Sequence, residues 1–333
     1  MGKDMHRHGI GRRSVLAAGA AAAFLRARPA PAADQPALRL LTNWYAQAEH
    51  GGFYQARAAG LYARAGVPVS IKMGGPQVNN MQLLLGGQAD IMIGSMELAL
   101  LAAAKNLPVV AIGTSFQKSV TGFMVHKDIT AIEQLKGHPI LINTEGRSTF
   151  WPWLCARYGF SDGQAGVYTY NIQPFVMNPR LAIQTFVTSE PFAATQKDIP
   201  FNYLLLSDLG YHTYGNVLLA TKDIVARRGD DVTAFLRASA QGWKDYLYAD
   251  PAAGDREIVL DNPAMSAAQL DYSRAALRRI GALGEKGGVI GTMNDARWAE
   301  LHDFVVRDNH ALDTPTWRAA YTTEFVSKLD MTV

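Results

Sequence analysis

At 333 residues, with 48% hydrophobic and 18% charged side chains, the chain is long enough to bury two ordinary cores and too apolar to be disordered. Its single cysteine, Cys155, excludes an internal disulfide and a CxxC metal site. The net charge of +3 resides at the N-terminus, where residues 1–32 carry six Lys or Arg against one Asp and leave the remainder at −2, so the basic balance gives no ground for nucleic-acid binding.

In chain order, Lys3, Arg7, Arg12 and Arg13 precede an Ala-rich run over 14–24, and Ala30-Pro31-Ala32 supplies small residues for cleavage. The pattern predicts a signal peptide over 1–33, and Arg12-Arg13-Ser14-Val15-Leu16 resembles a twin-arginine export signal. The run is too short and too rich in alanine to span a membrane. No cysteine follows it closely to take a lipid anchor, so the expectation is a soluble, unanchored protein exported to a bacterial periplasm. Cys155 has apolar neighbours and is read as a buried, inert thiol.

Leu38, Leu40 and Leu41 predict a short buried strand, and Phe53, Ala56, Ala59 and Tyr62 then recur at helical spacing. The joint between them holds Asn43, Trp44, His50, Gly51 and Gly52. These supply an amide that donates and accepts, a flat indole, an imidazole, and glycines that let backbone approach a ligand. Ligands of open α/β sheets gather where strands end and helices begin, so this joint is a predicted wall of a small-molecule site. A core-capping Trp and a surface His are the plainer alternative.

Strand patterns over 67–71, 91–93 and 109–112 alternate with helical patterns over 77–85 and 97–105, which predicts a parallel sheet covered by helices. Gly94-Ser95-Met96-Glu97 leaves a strand for a helix at the same sheet end as Trp44. Ser95 and Glu97 join the candidate contacts there, although Ser95 is equally an ordinary N-cap. Residues 121–128 and 215–223 share a plan of glycine, apolar strand and Lys-Asp. They predict two hinge strands, with lobe 1 formed by 34–121 plus 217–333, lobe 2 by 122–216, and glycines absorbing the hinge motion.

Within lobe 2, a strand over 139–142 leads into a helix expected to start near Ser148 or Thr149. Arg147, Ser148 and Thr149 at that turn suit a polar or anionic group, and a surface ion pair for Arg147 fits as well. Trp151 and Trp153 point to different helix faces, and Trp151 is assigned to the cleft. Glu190, beside Pro191, is the candidate carboxylate for a donor edge. Phe116 and Tyr214 would complete an aromatic wall with Trp44. The last hundred residues predict helices that pack, with Val232, Phe235, Leu236 and Trp243 on compatible faces.

Asn43-Trp44, His50-Gly51-Gly52-Phe53-Tyr54, Gly60-Leu61-Tyr62, Ala65-Gly66-Val67-Pro68-Val69 and Leu85-Gly86-Gly87-Gln88-Ala89-Asp90-Ile91 resemble, in order, the NMT1/THI5-like periplasmic solute-binding proteins of ABC transporters. Later stretches from Glu133 to Ile140 and from Gly291 to Trp298 are similar to that family too. The resemblance implies an α/β, two-lobed type II periplasmic binding protein fold, each lobe a mostly parallel sheet flanked by helices. It implies capture of a small polar aromatic, such as a thiamine pyrimidine precursor, by hinge closure and delivery to an ABC permease. Binding of alkanesulfonate, taurine or nitrate is the alternative.

The same fold family includes a pyrimidine synthase, but that branch's cysteine-rich motif is missing, and no lysine occurs between Asn43 and Lys72. No G-x-S-x-G, H-E-x-x-H or P-loop pattern occurs either. The expectation is therefore a monomeric binding protein with no enzymatic activity, cofactor, metal or nucleic-acid partner.

Overall fold

A computed structural model describes residues 36–75 and 78–333; the signal peptide read over 1–33 and the helix start read at Gln77 lie outside the described residues. Ten strands run in chain order: β1 (Leu38–Leu41), β2 (Val69–Lys72), β3 (Ile91–Gly94), β4 (Val109–Phe116), β5 (Thr121–Val125), β6 (Ile140–Ile142), β7 (Ala165–Val167), β8 (Ala182–Phe186), β9 (Asn202–Leu205) and β10 (Gly215–Thr221). They form two five-stranded sheets, ordered β2-β1-β3-β10-β4 and β7-β6-β8-β5-β9.

Both sheets follow one plan. β1 lies parallel to β2 and β3, as β6 does to β7 and β8, and these parallel pairs are joined by helical crossovers. β10 runs antiparallel to β3 and β4, and β5 antiparallel to β8 and β9. The reversal follows from connectivity. The chain leaves the first sheet after Phe116 and returns at Gly215, and these two residues are register partners, so β4 and β10 must run in opposite senses. β3 and β4 are buried along their whole length, as expected of strands covered on both faces.

Gly122 and Gly215, read as hinge glycines, sit in tight packing: a Cβ would lie 2.5 Å from the Leu204 carbonyl oxygen at Gly122 and 2.9 Å from that of Lys118 at Gly215. Gly51 and Gly52 likewise serve packing rather than ligand approach. The helix Gly51–Ala58 presses on the helix Gly229–Tyr248, where a Cβ would stand 2.0 Å from the Tyr246 ring at Gly51 and 2.2 Å from the Trp243 ring at Gly52. Phe53 stacks on Phe235 beside them, with centroids 6.1 Å apart. Cys155 is half-buried rather than buried, and burial pushes its thiol pKa up. Among the described residues, no helix is long and apolar enough to cross a membrane.

Candidate functional site

The C-terminal ends of β1, β3 and β6 deliver Asn43, Ser95 and Asn143 to one cavity, which Gln184, Tyr211 and Tyr214 complete. Ser95 caps the helix Met96–Ala104, its Oγ accepting from the Leu98 amide at 3.3 Å. Asn143 caps the helix Thr144–Ser148, its Oδ1 accepting from the Gly146 amide at 2.6 Å. That helix begins four residues before the start expected near Ser148. Asx and Ser caps of this kind bring the second helical residue to the mouth of the strand, here Glu97 and Glu145.

The electrostatics are those of two carboxyls with no counter-charge. Glu97 is buried and accepts the Tyr211 hydroxyl; burial raises its pKa. Glu145 is partly exposed to the cavity, and desolvation, with the Glu97 charge added, pushes it up to about 7. The neighbouring Ser95 side chain offsets part of this for each. Among the described residues that line the cavity there is no Lys, Arg or His.

Asn43, Ser95, Glu97, Thr149 and Tyr214 stand on the cavity wall. The other expected contacts do not. His50 is wholly buried behind Asn43, with Nε2 2.9 Å from the Asn43 Oδ1. Burial lowers its pKa to about 3, so it is a neutral imidazole that orients the Asn43 amide. Trp44 lies on Tyr170 at 3.9 Å between centroids, outside the cavity lining.

Phe116 faces the core, packed on Trp243 at 4.9 Å, because its position in β4 points to the covering helix. Trp151 is 3% exposed and spends its indole N–H on Asp162 at 2.9 Å. Glu190 accepts from the Tyr168 hydroxyl at 2.9 Å and the Phe186 amide at 3.3 Å, so its carboxylate is engaged within its own lobe. Arg147 donates to the Ala165 carbonyl and lines, with Ser148, a second cavity behind Glu97. Ser148 and Thr149 both donate their hydroxyls to the Glu145 carbonyl at 3.0 Å.

Glu145, Asn143 and Gln184 are the wall residues that sequence reasoning passed over. Asn143 three residues before Gly146 is a readable Asx cap, and that signal would have placed Glu145 in the first helical turn. Arg297, in a segment expected only to pack, lies 4.1 Å over the Tyr214 ring and donates to the Gln117 carbonyl at 2.6 Å. It therefore braces both the aromatic wall and the passage between the sheets. Among the described residues, no group of three or more His, Cys, Asp or Glu is placed to hold a metal.

A family model described as NMT1/THI5 like matches residues 47–253. A curated relative from Aspergillus parasiticus, named 4-amino-5-hydroxymethyl-2-methylpyrimidine phosphate synthase, is 25% identical over 253 residues, covering 68% of this chain and 71% of its own. A ligand-binding component of an ABC-type import system from Staphylococcus aureus, with zinc bound, matches with a TM-score of 0.65 at 13% identity, over 90% of this chain and 100% of that one. The alkanesulfonate-binding protein SsuA from Xanthomonas axonopodis pv. citri, bound to MOPS, matches at 0.64 and 15% identity, over 87% and 99%. These two likenesses show the fold, that of the periplasmic binding proteins. The expectation of no enzymatic activity is corrected by the first relative, which is itself named as an enzyme.

Proposed function

This chain belongs to the NMT1/THI5-like family, and from that premise we propose that it captures a small, flat, donor-bearing heterocycle of the thiamine pyrimidine precursor type. Capture is by hinge closure of lobe 1 (34–121 plus 217–333) over lobe 2 (122–216), with the ligand held in the cavity between them. The single observation that carries this is the chemistry of the wall: Glu97 and Glu145 offer carboxyl acceptors, Asn43, Asn143 and Gln184 have their amide oxygens engaged within the protein, and no lining side chain is cationic. Carboxylates reward amino donors and repel anions. An alkanesulfonate, taurine sulfonate or nitrate would sit beside Glu97 and Glu145 with nothing to balance its charge.

The twin-arginine-like pattern and the import-system relative support export to the periplasm and delivery to an ABC permease. Conversion of the captured ligand is the second reading, and the name of the sequence relative favours it. A thermal-shift screen with aminopyrimidines, sulfonates, nitrate and aromatic acids, followed by mass spectrometry of the recovered ligand, tests both. Stabilisation by aminopyrimidines is the expected result. A new mass supports conversion, and stabilisation by sulfonates alone contradicts the proposal.

A further inference from the structure

We propose that the C-terminal helix Asp295–Asp308 is a strut across the cleft, on which Phe304 seats Tyr211 of lobe 2 against Glu97 of lobe 1. A side chain outside the cavity lining thereby sets an acceptor on the cavity wall. This rests on the capture reading above and adds positioning residues to its site.

The helix is rooted in lobe 1. Trp298, Leu301 and Val305 recur at the spacing of one helical face and are buried in the core around the first sheet. Phe304, at the edge of that stripe, packs against the cores of both sheets. Its ring stands edge-on to Tyr211, with centroids 5.5 Å apart and planes at 65°, and lies 6.3 Å from Trp153. Just past the helix end, the Asn309 side chain donates to the Ser148 carbonyl at 2.8 Å, a second tie to lobe 2.

The other end of the helix grips the passages between the sheets. Arg297 donates to the Gln117 carbonyl at 2.6 Å and to the Gln117 side-chain oxygen at 2.7 Å, and its guanidinium lies 4.1 Å over the Tyr214 ring. Gln117 directly follows β4 and Tyr214 directly precedes β10, so one side chain holds both places where the chain crosses. A helix of fourteen residues is a stiff rod about 20 Å long. It fixes the distance between these crossings and the Phe304 contact.

Tyr211 is where the strut meets the site. It is 4% exposed, stands on the cavity wall and donates its hydroxyl to Glu97. Donor and acceptor belong to different lobes, so this bond forms at one lobe spacing and is lost at wider ones. A carboxylate that accepts a fixed hydroxyl keeps one orientation toward the cavity. Phe304 backs the Tyr211 ring and stops the phenol from swinging off Glu97.

Calorimetry with 4-aminopyrimidine on the wild type, Phe304→Ala, Tyr211→Phe and the double variant tests this, together with hydrogen-exchange mass spectrometry of the free proteins. Phe304→Ala should weaken binding roughly threefold to tenfold, and Tyr211→Phe, which keeps the ring, by about the same factor. The double variant should bind no more weakly than Tyr211→Phe, because Phe304 acts through that hydroxyl. Phe304→Tyr, which keeps the edge contact, should restore the wild-type affinity. Exchange in Phe304→Ala should quicken by a similar factor over 117–121 and 211–215 and stay as in the wild type in β3 and β6. If Phe304→Ala does not fold, Phe304→Leu, which fills the space without an aromatic edge, carries the same comparison. Losses that add in the double variant, or exchange that rises equally in β3 and β6, would overturn the strut and leave capture intact. No binding of 4-aminopyrimidine by the wild type would count against the capture reading, and the exchange pattern then decides the strut by itself.

Discussion

The Glu49 carboxylate accepts the hydroxyl of Thr188, tying the segment after β1 to the turn after β8. The Thr188 carbonyl in turn accepts the Ser273 hydroxyl at 2.7 Å, and Asn216 donates to the Glu49 carbonyl at 2.8 Å. This buried clasp joins elements of the two sheets beside the cavity. Desolvation, the larger cause, and the nearby Glu190 charge push Glu49 from 4.5 up to about 7.

A carboxyl whose pKa is raised by folding binds its proton more tightly in the folded state. Its contribution to stability is full below the ordinary carboxyl range and is lost as pH rises through about 7. The unfolding midpoint should therefore fall between about pH 5 and pH 8, with Glu49 contributing on the order of 3 kcal/mol. Glu49→Gln should flatten the part of that decline that Glu49 carries. Chemical denaturation at several pH values measures it, and the same decline in the variant would contradict the assignment.

Trp44 and Tyr170 make a second bond between the lobes, ring on ring at 3.9 Å. An aromatic pair is worth about 0.5–1.5 kcal/mol beyond its buried area. Trp44→Ala should loosen closure, seen as a larger radius of gyration by small-angle scattering, and weaken ligand by roughly two- to tenfold. A variant as compact as the wild type, with unchanged affinity, would show that this contact is incidental to closure.

The double glycine after His50 is a packing device, and its substitution separates sterics from ligand chemistry. Gly52→Ala drives a methyl into the Trp243 ring, 2.2 Å from the built Cβ, and should cost about 3 kcal/mol or prevent folding. Gly66→Ala meets no atom within 4 Å but sits at φ +74, so about 1 kcal/mol is expected. Urea melts of the two variants should rank in that order.

The strands most legible in the sequence were those whose burial on both faces produces an unbroken apolar run, residues 91–93 and 109–112, which became β3 and β4. β7 is three residues of Ala-Gly-Val at a sheet edge, too short for any period to show. The reversed sense of β5 and β10 is set by where the chain passes between sheets, which no local pattern encodes. At the cavity, strand ends and caps were readable, so Asn43, Ser95, Glu97, Thr149 and Tyr214 stand on the wall. Phe116 and Trp151 illustrate the limit: an aromatic side chain suits core and cleft equally, and only the packed structure chooses. Arg147 drew attention by its charge, whereas the group two residues earlier, Glu145, faces the cavity.

The central claim is that a cavity walled by carboxyls and amides, without a cation, selects a donor-bearing heterocycle. Parallel calorimetric titrations of the wild type and the Glu97→Gln/Glu145→Gln variant with 4-aminopyrimidine and with methanesulfonate test it most directly. The expected result is saturable binding of 4-aminopyrimidine at one site in the wild type, lost in the double variant, with no heat from methanesulfonate. Saturable methanesulfonate binding by the wild type, with none of 4-aminopyrimidine, would contradict it.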